Sequence, residues 1–271
     1  MSFKIIEEKE TKIIIVEEFQ QLGMVKHGFS TRIGGVSTAH NSSLNLSFKT
    51  KDHKAHVMTN LQRFCEAIDI KVENLVLADQ IHRDEIKLVT IEDRGKGIFC
   101  EKDYSGVDGL ITNVSGIALM TYHADCVPLL FVDPIKKVIA ASHAGWRGTA
   151  LKIGQKTVEK MIKKFECRVE DITVAIGPSI GKCCYEVSNE VVKEFNTNFT
   201  YTSNIAFPNT EGKYMLDLWE ANRISLKEIG VLDRNIFIAN MCTACNTDLF
   251  YSHRKEKGLT GRMASVIELT E

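Results

Sequence analysis

The sequence predicts an α+β fold in which mixed β-sheets pack together and helices flank them. Short, continuous apolar runs recur along the chain, as they do in strands that are buried on both faces. Four of these runs, between residues 109 and 141, follow one another without a helical pattern between them. A strict alternation of strand and helix is therefore absent, which favours a layered mixed-sheet fold over a doubly wound one.

The elements follow from this pattern in chain order. Strands are predicted at 12–18, 75–78, 86–89, 109–112, 117–122, 129–132, 138–141, 172–176 and 236–239. Helices are predicted where apolar residues recur every three or four positions. The first helix covers 53–68, with apolar positions Val57, Leu61, Phe64, Cys65 and Ile68. The second has its apolar positions at Leu151, Val158, Met161, Ile162 and Phe165. The third has them at Leu216, Trp219, Leu226 and Ile229. Because no repeat or linker interrupts the chain, we expect one domain over 1–271.

Composition excludes several classes of protein. The 271 residues are 44% hydrophobic, and 34 basic against 35 acidic residues give a net charge of -1. This charge does not favour a nucleic-acid-binding surface. No apolar run reaches the roughly 18 residues that would span a membrane. Charges interrupt every apolar stretch of the first 19 residues, unlike a signal peptide. We therefore expect a cytoplasmic protein that binds neither nucleic acid nor membrane.

Three predicted strands lead to a histidine or a cysteine. The strand at 75–78 runs towards His82, the strand at 117–122 towards Cys126, and the strand at 138–141 towards His143. Functional sites gather at strand ends on one side of an open sheet. One thiolate and two imidazoles suit Zn or Cu, and three protein ligands leave a fourth position open, as in catalytic sites. The alternative is a buried cysteine beside two hydrogen-bonded histidines.

Two loops are candidates for binding an anion. Residues 145–149 open a predicted helix directly after His143, and free N–H groups together with Arg147 would suit an anion there. The alternative is an ordinary strand–helix junction with a solvated arginine. The loop 29–37 contains Arg32 and two adjacent glycines, which allow a ligand to approach the backbone closely. It matches neither a P-loop nor a dinucleotide-binding fingerprint.

Residues 177–181 match the nucleophile-elbow pattern G-x-S-x-G after a predicted strand. Ser179 would then be an acyl-transfer nucleophile, with His253 as its base and Asp217, Asp233 or Asp248 as the third member. The following residues make a poor helix start, however, and an elbow needs a helix there. A Gly-Pro turn is the alternative interpretation.

The eight cysteines have three possible uses in a chain without an export signal, namely metal binding, catalysis or burial. Cys242 and Cys245 form a C-x-x-C pair, which could join Cys183 and Cys184 in a four-thiolate zinc site. Neighbouring side chains tend to diverge, so adjacent cysteines are poor co-ligands. We therefore expect all four to be buried, with a structural metal as the alternative.

Taken together, an ordered set of segments resembles a known family, the YfiH/YlmD-type family that is also called the polyphenol oxidase or laccase-domain family. The segments are 27–32 (HGFSTR), 34–37 (GGVS), 44–47 (LNLS), 80–82 (QIH), 108–112 (DGLIT), 124–128 (ADCVP), 143–148 (HAGWRG), 177–181 (GPSIG), Cys183 with 185–187 (YEV), and 260–265 (TGRMAS). They span nearly the whole chain. The chain departs from the family pattern at Ile81 and at His253, which leaves the preferred substrate open.

The resemblance implies a single α+β domain with a metal on His82, Cys126 and His143, the same residues that the strand ends indicate. The metal would be zinc, with copper as the alternative. The implied activity is phosphorolysis of adenosine, inosine, guanosine and S-methyl-5′-thioadenosine, together with deamination of adenosine. The implied partners are purine nucleosides and inorganic phosphate, and we expect a monomer or a homodimer.

Further site residues follow from the shared segments. Arg32, Asn45, Gln80 and Arg147 are expected to bind substrate, with the two arginines as candidates for holding phosphate. Asp125, beside Cys126, is expected to orient a ligand or to take a proton. The alternative is that it only hydrogen-bonds to the metal ligands without binding the metal itself.

Two other activities stay open for the family. One is copper-dependent phenol oxidation, although a laccase needs several coppers and this chain has only eight scattered histidines. The other is hydrolysis, with Cys126 or Ser179 as the nucleophile. A metal-binding protein without catalytic activity is a third possibility. The zinc nucleobase-deaminase pattern, H-x-E with P-C-x-x-C, is absent from the sequence.

Overall fold

Two six-stranded sheets and one three-stranded sheet form the framework of the computed structural model, which describes residues 2–200 and 202–270. The strands are β1 (Phe3–Glu8), β2 (Thr11–Val16), β3 (Val25–Ser30), β4 (Leu75–Leu77), β5 (Ile86–Leu88), β6 (Gly109–Thr112), β7 (Ala118–His123), β8 (Val127–Asp133), β9 (Val138–Ala144), β10 (Thr173–Ile176), β11 (Glu186–Ser188), β12 (Ala206–Pro208), β13 (Lys213–Leu216), β14 (Ile236–Ile238) and β15 (Met263–Leu269).

The α-helices of the described residues are α1 (Glu17–Gln21), α2 (Lys54–Ala67), α3 (Trp146–Ala150), α4 (Ile153–Phe165), α5 (Asn189–Asn198) and α6 (Leu218–Glu228). The first sheet has the strand order β1-β2-β3-β15-β7-β4, and the second has the order β14-β10-β8-β9-β6-β5. The third is β11-β13-β12. None of these helices is long and apolar enough to span a membrane.

The two large sheets pack face to face, with helices on both outer sides. Phe29 and Leu119 of the first sheet share one buried core with Leu130 and Ile139 of the second. On the outer face of the first sheet, α2 covers a second core. On the outer face of the second sheet, α4, α5 and α6 cover a third. Both faces of each sheet are therefore buried, which explains why the strands read as continuous apolar runs.

The predicted α+β class and the run of strands without helices are confirmed. From β6 to β9, four strands follow one another directly. The predicted strand at 12–18 ends at Val16, because 17–21 form α1. The second predicted helix is wrong at its start, since Lys152 has a left-handed φ of 57° and separates the five-residue α3 from α4. In the third helix, Leu216 lies in β13 and Ile229 caps the C-terminus of α6.

The topology brings the predicted ligands together from two sheets. In the first sheet, β4 and β7 are parallel neighbours, so the loops that follow them leave from the same edge. In the second sheet, β8 and β9 are antiparallel, and Pro128 lies opposite His143. Cys126 immediately precedes β8 and thus lies beside His143. The three predicted ligands are therefore supplied by strand ends of both large sheets.

Candidate metal centre and active-site cavity

The side chains of His82, Cys126 and His143 converge at one point. Their ligating atoms all lie within 4.8 Å of one another. The Cys126 Sγ is 3.9 Å from His82 Nε2, and the two imidazole rings are 4.9 Å apart between centroids and almost perpendicular. His143 is buried, whereas His82 is exposed and Cys126 is partly exposed. The group thus has one face in the protein and one open face.

Asp108 positions two of these three residues. Its Oδ1 accepts a hydrogen bond from His143 Nδ1 at 2.8 Å and another from the His82 backbone N–H at 3.1 Å. Its Oδ2 accepts from the backbone N–H groups of Ile81 and Arg83. The carboxylate therefore leaves Nε2 of His143 free to bind a metal, and it holds His82 at a left-handed φ of 64°. The sequence analysis gave Asp108 no role, although this residue begins the shared segment 108–112 and precedes an apolar strand.

The charges within this group favour the thiolate form of Cys126. Burial alone would raise the pKa of this thiol, but the positive charge of His143 and hydrogen bonds from both histidines outweigh burial and lower it. Burial alone would also lower the pKa of His143, but the Cys126 thiolate and the Asp108 carboxylate raise it. Because the thiolate is the form that binds metals and acts as a nucleophile, the protein prepares Cys126 for ligation.

Gly145 leaves room for a metal between the ligands. A Cβ at this position would lie 2.7 Å from His82 Cδ2, 3.2 Å from Cys126 Sγ and 3.7 Å from His143 Cε1. Its φ of -63° is ordinary for any residue, so the requirement for glycine is spatial. Two imidazole nitrogens and a thiolate are donors that zinc and copper accept. The residues present therefore fit the metal that the family resemblance implies.

The three ligands lie in a cavity of about 470 Å³. This volume is within the range of roughly 300–1,000 Å³ that small-molecule sites occupy. Trp146, Tyr185 and Leu218 supply apolar wall, and four cations, Lys49, Arg147, Arg254 and Arg262, also line the cavity. Asp125 is the only carboxylate among the lining residues. The excess of positive charge suits an anionic ligand.

His123 is a buried polar side chain in the same cavity. It is 2% exposed, and neither ring nitrogen has a hydrogen-bond partner within the described residues. Burial, followed by the charge of His143, lowers its pKa to about 3, so its ring is neutral. A neutral imidazole offers one donor and one acceptor to a bound molecule. The sequence places His123 at a strand end, but only the structure shows that both nitrogens are free.

Two of the four predicted substrate-binding residues line the cavity. Arg147 is exposed there and stacks over the Trp146 ring at 4.2 Å. Gln80 also lines the cavity, but its amide already donates to the Tyr122 carbonyl and accepts from the Tyr122 N–H. The predicted anion site at the helix start is reduced to Arg147 alone, because α3 has only five residues and a weak dipole.

The other two, Arg32 and Asn45, lie outside the residues that line this cavity, and their side chains have protein partners. Arg32 donates to the carbonyls of Ser42 and Thr247 and pairs with Glu256, while its guanidinium lies over Tyr251. It therefore joins three loops.

Asn45 is fully buried, and its side chain hydrogen-bonds within the 45–52 loop and accepts from the Arg262 N–H. It therefore indirectly positions an arginine that does line the cavity.

Asp125 orients the loop that carries Cys126. It has a left-handed φ of 83°, and its two oxygens accept 2.6 Å hydrogen bonds from the Thr243 hydroxyl and the Arg254 N–H. Both oxygens thus have protein partners, which supports the predicted orienting role and disfavours the predicted proton transfer.

The nucleophile elbow does not form at Ser179. No helix follows this residue, which is fully buried. Its hydroxyl donates to the Gly177 carbonyl and accepts from Trp219 Nε1 at 2.6 Å. A serine in this position has no route to substrate; residues 177–181 form a bend in which Ser179 makes a β-bridge to Cys242.

A larger depression of about 780 Å³ lies on another surface. Charged side chains such as Lys26, Lys71, Arg94 and Glu268 line it. Neither of the His/Cys clusters in 2–200 and 202–270 borders it. The smaller cavity, where ligands and cations converge, is therefore the candidate active site.

Comparison with known proteins identifies relatives over most of the chain. Residues 26–270 match the family model described as multi-copper polyphenol oxidoreductase laccase. The chain is 39% identical to "Purine nucleoside phosphorylase YlmD" of Geobacillus stearothermophilus, over 89% of this chain and 88% of that protein. It is 36% identical to the protein of the same name from Bacillus subtilis, over 90% and 88% of the two chains. The crystal structure of the hypothetical protein YfiH of Bacillus licheniformis superposes with a TM-score of 0.92, at 35% identity and with 99% of each chain covered.

Replacement of Gly145 by alanine should weaken metal binding without unfolding the protein. The added methyl group would push the His82 ring away from the other ligands. We expect Gly145→Ala to lose one equivalent of zinc at a chelator concentration that leaves the wild-type protein loaded, a change in affinity of roughly tenfold or more. Gly154→Ala is the control, because the atoms nearest to its Cβ would belong to Leu129, Leu226 and Asn222, none of which is a metal ligand. Equal zinc retention in both variants would place the metal elsewhere.

Replacement of Asp108 by asparagine should cost about 3 kcal/mol of unfolding free energy at pH 6, because an amide cannot accept all four hydrogen bonds. Burial alone would raise the pKa of Asp108, but hydrogen bonds from His143 and the backbone lower it below the ordinary value. Its stabilising effect is therefore present above about pH 4 and is lost as the pH falls through the pKa in the folded protein.

Denaturant unfolding of metal-free protein at several pH values measures this effect. The difference between wild-type and Asp108→Asn proteins should shrink below about pH 4. The exposed Asp103, replaced in the same way, should show a much smaller difference at pH 6. An Asp108→Asn difference that is constant down to pH 2.5 would contradict a role for the charge.

Proposed function

The chain belongs to the multi-copper polyphenol oxidoreductase laccase family, and on that premise we propose that it is a purine nucleoside phosphorylase. The relatives with 36–39% identity carry that name. The observation that carries the proposal is the cavity itself, in which the His82–Cys126–His143 group, a neutral imidazole and four cations surround one volume suited to a small molecule. The proposed substrates are adenosine, inosine, guanosine and S-methyl-5′-thioadenosine, with inorganic phosphate as the second substrate.

Phosphorolysis requires a phosphate oxygen to attack C1′ of the ribose while the bond from C1′ to the base nitrogen breaks. The base leaves with the electron pair, and ribose 1-phosphate forms. The ribose carries positive charge in the transition state, so an anion held beside C1′ lowers the barrier. The side chains of this cavity must therefore bind phosphate, orient the sugar and accommodate a leaving purine.

Three arginines are suited to holding the phosphate. Arg147 is anchored by Trp146 alone, and its guanidinium makes no hydrogen bond to the described part of the chain. Arg254 donates one hydrogen bond to the Glu186 carbonyl and keeps other N–H groups free. Arg262 is oriented in the same way by the carbonyls of residues 260 and 261. Guanidinium groups form paired, charge-assisted hydrogen bonds with phosphate. The rim of the cavity formed by these three arginines is therefore the proposed phosphate site.

The apolar wall and His123 are suited to the nucleoside. Trp146 and Tyr185 offer ring faces to a purine. The neutral ring of His123 has one donor and one acceptor nitrogen, and neither makes a side-chain hydrogen bond within the described residues. Such a group binds a neutral base or a ribose hydroxyl at little desolvation cost, because it is already dehydrated.

His82, Cys126 and His143 would hold the metal, zinc in our proposal, with copper as the alternative. A metal on these ligands supplies a Lewis acid and lowers the pKa of water in its neighbourhood. Deamination of adenosine replaces the amino group at C6 of adenine with an oxygen from water and releases ammonia. The open face of the His82–Cys126–His143 group supports this as a second proposed activity. The part of the chain that the structure describes has only two histidines in such clusters, whereas several coppers would need many more.

Product analysis tests the proposal. The purified protein is incubated with adenosine, with and without phosphate, and the products are identified by mass spectrometry. Adenine with ribose 1-phosphate, formed only when phosphate is present, is expected. Inosine in both samples would establish deamination. Unchanged adenosine with a fully zinc-loaded protein would overturn the proposal.

Replacement of Arg147 by alanine should raise the KM for phosphate by roughly 10- to 100-fold, because it removes one charge-assisted contact. The zinc content should not change. Arg168→Ala is the control, since this arginine is on the surface and pairs with Glu170 outside the cavity. A phosphate KM that Arg147→Ala leaves unchanged would exclude this arginine from the phosphate site.

A further inference from the structure

Four cysteines form a second cluster, outside the cavity described above. The sulfur atoms of Cys183, Cys184, Cys242 and Cys245 all lie within 4.8 Å of one another. Cys245 Sγ is 3.5 Å from Cys183 Sγ and 3.4 Å from Cys184 Sγ. Our expectation that all four are buried is wrong, because Cys183 and Cys245 are exposed and Cys184 is half-buried. The cluster draws residues about 60 positions apart in the chain to one point at the surface.

A tight turn brings the two adjacent cysteines to the same side. The Cys184 N–H donates to the Gly181 carbonyl at 3.0 Å, which curls residues 181–184. Gly181 has no side chain to obstruct this turn, and a Cβ there would lie 3.3 Å from both Cys183 Sγ and Cys242 Cβ. Both thiols of the pair therefore reach Cys245. The expectation that neighbouring cysteines diverge applies to extended chain, and the turn overrides it.

The C-x-x-C segment closes in a corresponding turn. The backbone and side-chain N–H groups of Asn246 both donate to the Cys242 carbonyl. The Gly181 N–H donates to Cys242 Sγ at 3.3 Å. A backbone N–H directed at a sulfur stabilises negative charge on it, as the thiolates of a metal site require.

We propose that these four cysteines bind a zinc ion, separate from the metal of the cavity. Zinc takes four thiolates at about 2.3 Å in a tetrahedron, which places the sulfur atoms about 3.8 Å apart. The separations of 3.4 and 3.5 Å, and the upper limit of 4.8 Å, match this arrangement within small side-chain rotations. Binding converts four thiols and Zn²⁺ into a tetrathiolate complex and releases four protons. All four positions are then filled by protein, as in structural sites.

The geometry favours a metal over a disulfide. Cys245 is equally close to Cys183 and to Cys184, so no single pair is singled out for a bond. A disulfide would also leave two thiols of the cluster unused. A metal ion satisfies all four sulfur atoms at once.

The proposed zinc would hold the two loops that fix Asp125. The Ile180 N–H donates to the Asp125 carbonyl, and the Thr243 hydroxyl donates to its carboxylate. The loops are also joined at Ser179, whose N–H and carbonyl bond to residues 241 and 243. Asp125 immediately precedes Cys126, so the four-cysteine site stabilises the loop that carries the metal ligand Cys126. Its role is to position residues, and it contacts no substrate.

Zinc stoichiometry tests this proposal without reference to enzymatic activity. Protein produced with zinc and freed of loosely bound metal is expected to hold two zinc ions per chain. Cys245→Ser and Cys126→Ala should each hold one, and the double variant should hold none. Cys100→Ser is the control, because this exposed cysteine lies outside both clusters, and it should hold two.

A second measurement covers the case in which Cys245→Ser does not fold. In the Cys126→Ala protein, a strong chelator should release one zinc ion and expose four additional thiols to a thiol reagent. Cobalt substituted for this zinc should give the intense sulfur-to-metal absorption of a tetrathiolate site. A wild-type protein with one zinc ion that Cys245→Ser retains would overturn the proposal. A metal-free wild-type mass that is two hydrogens below the mass of the reduced chain would show a disulfide and would also overturn the proposal. Iron bound in place of zinc would overturn it as well.

Discussion

The carboxylate of Asp108 is the interaction on which the candidate site depends. It stands at the start of β6 in the second sheet, fully buried, and accepts three backbone N–H groups from the loop that follows β4 in the first sheet. The same carboxylate binds His143 on β9. One buried charge therefore fixes a loop from one sheet and a side chain from the other. Without this carboxylate, no hydrogen bonds would hold His82 and His143 in fixed positions relative to each other.

The cost of burying this charge explains why its surroundings are so fully ordered. An unpaired carboxylate in a protein interior is strongly unfavourable, so four donors are arranged around it. The ligand His82 and Asp125, the neighbour of the ligand Cys126, adopt left-handed backbone conformations that L-residues rarely take. Each is held there by hydrogen bonds to or from a buried carboxylate. Local strain is thus balanced by the network that shapes the site.

The residues that line the cavity stand on two kinds of position. The ligands, His123 and Asp108 lie on strand ends or on loops hydrogen-bonded to them, whereas the arginines stand at the rim on loops and at the start of α3. The candidate ligands are thus built into hydrogen-bonded structure, and the long cationic side chains surround them at the mouth of the cavity. The family description refers to copper oxidation and the relatives are called phosphorylases, and the cationic rim agrees with the second of these names.

The sequence by itself determined the fold class, the strand-rich middle of the chain, the convergence of His82, Cys126 and His143, and the place of Arg147. These features are local, because apolar runs report burial and strand ends report where side chains emerge. Only the tertiary structure decided the roles of Arg32 and Asn45, the importance of Asp108 and the meeting of four cysteines. Each of these depends on contacts between distant segments, such as Asn45 with Arg262 and Cys183 with Cys245. Periodicity does not encode which polar atoms meet across the chain, since a buried donor can bond to any acceptor that the packing brings to it.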